Sequence, residues 1–262
     1  GMMTLRQAVW IIMGANIGTT ITGQLIALDV GVLAPLFAFV GVAAGMFIKK
    51  PIVHHYGSIV GGLGVLFIGM DMMRASMEPL RDMPAFVNLM TSFSNPLLGI
   101  LAGAVFTAII QSSSASVGIL QALANSGVVT LDSAVFVLFG QNIGTCITAV
   151  LASIGTSRNA KRTTIIHLMF NIIGTIVFTT LCLVTPMLGL SLVDFMKELT
   201  PTNPAAQIAN MHTLFNIVTT LLLLPLGGYL VKPAMHILPE RQQDMEEGMH
   251  LAYLTPIHAN QD

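Results

Sequence analysis

The residues best suited to chemistry sit inside apolar runs. Gln111-Ser112-Ser113-Ser114 interrupts an otherwise apolar stretch at 97–126, and Gly-x-Asn-Ile-Gly-Thr occurs twice, at 14–19 and 140–145. With Thr20 and Ser116, these segments supply the amides and hydroxyls of Asn16, Thr19, Gln111, Ser112, Ser113, Ser114, Asn142 and Thr145, and hardly any carboxylate or basic group. Neutral oxygens of this kind suit a hard monovalent cation such as Na⁺. They lack the carboxylates that Ca²⁺ prefers and the imidazole or thiolate sets that transition metals prefer. The same segments could hold an anion. A helix starting after Ser114 and another after Gly144 would offer free N–H groups and the positive end of a helix dipole to phosphate or carboxylate. Anion and cation bound together would neutralise each other where either alone is costly to bury.

A second repeated pattern is His-x-x-Phe-Asn, at His167–Asn171 and His212–Asn216. Each His and Asn are four apart and share one helix face. They fit inter-helix polar contacts better than proton relays or ligands. Cys146 takes the place of Thr20 in the other Gly-x-Asn-Ile-Gly-Thr copy, which argues against a special thiol role. The two cysteines suggest neither a disulfide framework nor a zinc site.

The elements that must position these residues follow from composition. Of 262 residues, 54% are hydrophobic and 9% charged, too few polar residues to cover a soluble globule of this size. The 11 Lys and Arg against 12 Asp and Glu leave no basic field for a nucleic acid. The chain is therefore expected to be an all-α integral membrane protein, since the alternation of a membrane strand is absent. Apolar runs long enough to act as spans lie at 6–28, 32–48, 56–74, 131–155, 163–186 and 205–230. Each half of 97–126 is too short to cross, so it is expected to be a re-entrant hairpin with its polar tip at mid-depth. The stretches 75–96 and 187–203 are expected to be loops or interfacial helices. With the hairpin turning back, eight Lys and Arg (6, 49, 50, 158, 161, 162, 232, 241) face three (74, 81, 197) across the membrane. The positive-inside rule makes the first side cytoplasmic.

Residues 1–22 align without gaps to 127–148, with 12 of 22 positions identical. Shared lipid-facing composition would match Leu and Val, not Gly-x-Asn-Ile-Gly-Thr. The topology makes the two copies antiparallel, the arrangement from which secondary transporters build a midplane site between broken helices. Unwinding at the glycines would predict a polar cavity there. The expected division is 1–96 as the remainder of a first inverted repeat, 97–236 as the second, and 237–262 as a cytoplasmic polar tail. The counterpart of Gln111–Ser114 falls upstream of Gly1. No signal peptide is evident at the start.

QSSSA, GxNIGT and the later HxxFN helices together resemble the type II sodium–phosphate cotransporter family, including its bacterial members, over roughly residues 1–235. The resemblance implies Na⁺-coupled movement of inorganic phosphate by alternating access in the cytoplasmic (inner) membrane. It requires no cofactor beyond Na⁺ as coupling ion, and the lipid bilayer is the surrounding partner. It makes Gln111, Ser112, Ser113 and Ser114, with Thr145, the expected phosphate contacts. Asn16, Thr19, Asn142 and Thr145, with Gln111 and Ser113, are the expected Na⁺ contacts. Bacterial relatives often continue into a PhoU-like domain, for which Glu240–Asp262 would be a linker. Competing readings are a carrier of another oxyanion or a phosphate exporter, a non-transporting phosphate sensor, and an intramembrane hydrolase pairing a serine of 112–114 with His167 or His212. The last lacks a GxSxG-like elbow, and the expectation is that the protein is not an enzyme.

Overall fold

The computed structural model describes residues 4–28 and 33–238, and the described chain is helical throughout, without strands. In chain order the helices are α1 (Leu5–Gly18), α2 (Thr20–Ala27), α3 (Ala34–Phe47), α4 (Pro51–Met77), α5 (Pro84–Ser92) and α6 (Pro96–Ile110). They continue as α7 (Ser113–Asn125), α8 (Leu131–Ala152), α9 (Arg158–Val184), α10 (Leu192–Leu199), α11 (Pro204–Leu223) and α12 (Gly227–Ile237). Short 3₁₀ turns at Glu78–Asp82 and Thr185–Leu188 extend α4 and α9. Starts are marked by side chains that take up the first free N–H groups. Thr4 and Gln7 form a reciprocal capping box on α1, and Asn95 and Asn203 cap α6 and α11 just ahead of a proline.

Four helical segments are long and apolar enough to cross a membrane: Leu5–Ala27, Pro51–Asp82, Leu131–Ala152 and Arg158–Leu188. The count rises to six if each sharply bent pair is one span. The protein is therefore a multi-pass membrane protein. The expected spans at 131–155 and 163–186 are α8 and α9. The expected span at 32–48 is the 14-residue α3, about 21 Å long and too short to cross alone. The expected span at 205–230 is not straight. It bends by 86° between α11 and α12, at Leu224-Pro225-Leu226, where proline lacks the N–H a continuing helix needs. The expected hairpin is α6 and α7 joined through Gln111 and Ser112, with 15 and 13 residues, each too short to cross. Of the tail at 237–262, only 237 and 238 are described, so its expected link to a PhoU-like domain lies outside the described residues.

Close packing rests on glycine, as expected where lipid removes any hydrophobic drive between helices. A Cβ on Gly41 would lie 2.1 Å from the Gly61 nitrogen, which sets the α3–α4 contact. A Cβ on Gly140 would lie 2.0 Å from the Ile100 oxygen, and one on Gly103 would lie 2.0 Å from the Val137 oxygen. These set the α6–α8 contact. The expected unwinding of 140–145 is therefore not found. Gly140 and Gly144 are the floor of a helix–helix seam, and α8 runs through them without a break. In the first copy the interruption is the single residue Thr19, between α1 and α2.

Helix directions follow from neighbouring residues. Gly23 of α2 faces Ala209 of α11, and Asn203 reaches the Ala27 carbonyl at 2.7 Å, so α2 and α11 are antiparallel. Phe139 of α8 meets Phe178 of α9, while Cys146 meets His167 and Asn171, so these too are antiparallel. Gly174 presses on Thr219 and Phe178 packs on Phe215, making α9 and α11 antiparallel. Together the three relations set α2 opposite in direction to α8, as an inverted repeat requires. The His-x-x-Phe-Asn motifs are 45 residues apart, and that shift exchanges Gly174 with Thr219. A local two-fold axis therefore passes near their contact, relating α1–α2 to α8 and α9 to α11. Phe136, Phe139, Phe178 and Phe215 fill the core beside it.

Candidate functional site

The tip of the α6–α7 hairpin is held from several sides. Gln111 closes α6 in the left-handed conformation (φ 60°, ψ 26°) that lets two residues reverse the chain. The Ser112 side chain accepts the Ala115 N–H and caps α7. Below the tip, the buried hydroxyls of Thr107 and Ser116 lie 2.7 Å apart and tie the two arms together. From α8, the Gln141 amide donates to the Ser116 carbonyl at 3.0 Å. Farther along α7, Gln121 is fully buried and donates to the carbonyls of Gly23 and Ala205, at 2.9 and 3.1 Å. These ties fix the first turn of α7, whose free backbone N–H groups belong to Ser113, Ser114 and their neighbours.

That turn opens on a small cavity of about 30 Å³. Asn16, Thr19, Ser113, Ser114, Asn142 and Thr145 all line it, so the structure brings together six residues expected to act. Gln111 and Ser112 stand outside this wall and are exposed. Their visible work is to shape the turn and cap α7. Thr20 and Ser116 are buried away from it, donating to Ile17 or paired with Thr107. The helix start expected after Gly144 does not exist; α7 offers its N-terminus here, and in the first copy α2 starts at Thr20, next to Thr19 of the wall.

The His-x-x-Phe-Asn residues are inter-helix contacts, and they also line the cavity. His167 Nε2 lies 3.0 Å from Asn16 Oδ1, joining α9 to α1. His212 Nε2 lies 3.1 Å from Asn142 Oδ1, joining α11 to α8. The two pairs correspond under the two-fold. A carbonyl oxygen only accepts, so each His donates from Nε2 and turns its Asn amide to leave Nδ2 facing elsewhere. Both Asn16 Nδ2 and Asn142 Nδ2 are buried without a partner among the described residues. Nearby, Thr19 donates its hydroxyl proton to the Asn16 carbonyl at 2.8 Å, and Thr145 donates to the Gln141 carbonyl at 3.0 Å. Both threonine oxygens therefore keep only lone pairs to offer. Asn171 and Asn216 donate to the carbonyls of His167 and His212 one turn back, at 3.1 and 3.0 Å, and so present Oδ1.

The residues lining the cavity thus carry both unpaired donors and free acceptors. Unpaired donors come from Asn16 and Asn142, joined by the Ser113 and Ser114 hydroxyls and the start of α7. Acceptors come in symmetric pairs, Thr19 with Thr145 and Asn171 with Asn216. Asn171 and Asn216, expected as structural polar contacts, make such contacts and also line the cavity, and their repeated spacing beside the two histidines is the sequence signal for both. No cluster of three or more His, Cys, Asp or Glu that could hold a metal ion occurs among the described residues. A larger cavity of about 390 Å³ lies one turn away, lined by Ala27, Asp71, Arg74, Asn125 and Asn203. Gln121 ties Gly23 at the first cavity to Ala205 beside the second.

An antiparallel helical core, a re-entrant hairpin and a half-buried polar cavity at their meeting point fit the inverted-repeat class of secondary transporters. The chain belongs to the Na⁺/Pi-cotransporter family, which it matches over residues 1–75 and 79–199. It is similar to the uncharacterised protein YqeW of Bacillus subtilis, at 31% identity over 92% of this chain and 76% of that protein. It is similar to the putative inorganic phosphate export protein YjbB of Escherichia coli K12, at 26% identity over 86% of this chain and 40% of that protein. A shorter match, 42% identical over 81 residues, covers 29% of this chain and 12% of the human sodium-dependent phosphate transport protein 2B. The chain thus spans about two fifths of the export protein's length. No solved structure matches it.

Proposed function

We propose that the protein carries inorganic phosphate across the cytoplasmic membrane together with Na⁺, by alternating access around the cavity at the tip of α7. The supporting observation is that the wall carries both unpaired donors and free acceptors. Phosphate takes the donors: Ser113, Ser114, the α7 N-terminus, and the amide nitrogens of Asn16 and Asn142. Na⁺ takes the oxygens of Thr19, Thr145, Asn171 and Asn216. Asn16 and Asn142 thereby move from the cation side, where the sequence had suggested them, to the anion side. The two inverted segments, 1–96 and 97–236, supply Asn16 and Asn142 respectively, so relative motion of the halves would remodel both subsites together. Each ion lowers the cost of burying the other, so a half-loaded site is held back from switching.

The test is phosphate flux in vesicles containing the full-length protein. Replacing Na⁺ by choline should abolish phosphate movement, and an imposed Na⁺ gradient should drive accumulation. Flux indifferent to Na⁺ overturns the coupling. Export is the second reading, favoured by the name of the relative matched over 86% of this chain. Flux measured with each gradient orientation decides between them.

A further inference from the structure

The two-fold partners His167 and His212 differ in one respect. His212 is 4% exposed and lines the cavity, and its Nδ1 is buried with no partner among the described residues. His167 is half-buried, and none of its atoms is buried and unpartnered in this way. Because Nε2 of His212 donates to Asn142 Oδ1, the neutral ring keeps a lone pair on Nδ1. A buried acceptor without a donor is costly unless a ligand brings one. Phosphate at neutral pH always bears at least one P–OH, whereas sulfate, of similar size and shape, bears none.

We propose that His212 Nδ1 accepts a hydrogen bond from the P–OH of the bound anion and so makes the site select oxyanions that carry a proton. The inference rests on the phosphate reading and adds the basis of its selectivity. The remaining anion contacts are donors or, at Ser113 and Ser114, hydroxyls free to turn a proton toward the ligand, so any tetrahedral oxyanion could satisfy them. Discrimination therefore has to come from an acceptor, and a site built around one rejects an analogue that leaves it unpaired. Phosphate and arsenate are accepted on this basis, while sulfate and monofluorophosphate are refused. Monofluorophosphate is the sharper probe, because it keeps the charge of the phosphate dianion and replaces only P–OH by P–F.

The experiment is competition against phosphate binding and uptake by the full-length protein at saturating Na⁺ and pH 7.5. The wild type should bind monofluorophosphate and sulfate at least about 30-fold more weakly than phosphate. His212→Gln keeps a donor toward Asn142 but leaves no acceptor at the Nδ1 position, and should bring phosphate and monofluorophosphate within about 3-fold of each other. His212→Asn retains a polar atom near the Nδ1 position and should keep more of the preference. His167→Gln should weaken both anions in parallel and leave their ratio intact. Equal wild-type affinity for monofluorophosphate and phosphate overturns the proposal without any variant, as does an unchanged ratio in a folded His212→Gln protein. If the wild type binds neither anion, the phosphate reading itself fails, an outcome distinct from loss of selectivity alone.

Discussion

The two helices that carry Gly-x-Asn-Ile-Gly-Thr agree in their polar residues and differ in their glycines. Asn16 and Asn142 accept from a histidine at 3.0 and 3.1 Å, and the adjoining threonines donate back to their own helices at 2.8 and 3.0 Å. Gly140 and Gly144 of α8 are pressed against α6, whereas ideal Cβ atoms on Gly14 and Gly18 of α1 would meet nothing within 4 Å among the described residues. Correspondingly, 50% of the apolar window of Leu131–Ala152 is buried, against 33% for Leu5–Ala27. Polar geometry is thus set within a helix and its histidine partner, while the use of a glycine depends on whichever helix lies across from it.

Gly140→Ala should break the comparison hardest. A methyl group 2.0 Å from the Ile100 oxygen forces α6 and α8 apart, at a cost of about 3 kcal/mol or more. Thermal unfolding in detergent should show a large fall in midpoint, matched by Gly103→Ala from the opposite wall. Because α6 carries the hairpin tip, phosphate binding should fall with it. An unaffected midpoint would mean that the α6–α8 seam is looser than the structure has it.

This seam also shows where the sequence was informative and where it was not. The all-helical membrane fold, the hairpin at 97–126 and the polar positions were legible, because apolar length and polar interruption are properties of a single segment. Whether Gly140 marks an unwound turn or a close contact was not, since both use the same residue and only the position of α6 decides. The 86° bend after α11 was missed because the leucines around Pro225 keep the run apolar. Asn16 was legible as a polar residue inside an apolar run, but which of its amide atoms is left unpaired beside the cavity was not. That depends on His167, 151 residues away, accepting or donating at one particular atom.

If the two halves of the site are equivalent for the anion, Asn142→Asp and Asn16→Asp should do similar damage. Each replaces a donor by a negative oxygen facing the same ligand, removing a hydrogen bond to a charged group and adding repulsion. Phosphate affinity should drop about 100-fold or more in each, as measured by isotopic binding at saturating Na⁺. A large loss in one with little change in the other would place the anion off the two-fold axis.

The threonines sharpen the same comparison on the cation side. Thr145→Val and Thr19→Val keep volume and remove a lone-pair oxygen that has already given its proton to a backbone carbonyl. The Na⁺ concentration for half-maximal uptake should rise about 10-fold in each, the loss of roughly one ligand contact. Phosphate affinity at saturating Na⁺ should change far less. A shift in phosphate affinity at fixed, saturating Na⁺ would move these oxygens from the cation to the anion.

The smallest expected effect carries the most information about the bare glycine strip. Gly14 has open space where a Cβ would stand, and glycine within a helix is less favourable than alanine by about 0.5–1 kcal/mol. Gly14→Ala should therefore leave the 262-residue chain as stable as before or slightly more so, seen as an unchanged or modestly raised unfolding midpoint. The two-fold relation makes the opposite result instructive. Gly14 corresponds to Gly140, whose seam is filled by the first arm of a hairpin. If Gly14→Ala destabilises the full-length protein as Gly140→Ala does, another helix lies on α1 as α6 lies on α8, and the site has a second wall facing Ser113. If it is neutral there as well, the symmetry stops at the Asn–His pairs and the hairpin is one-sided.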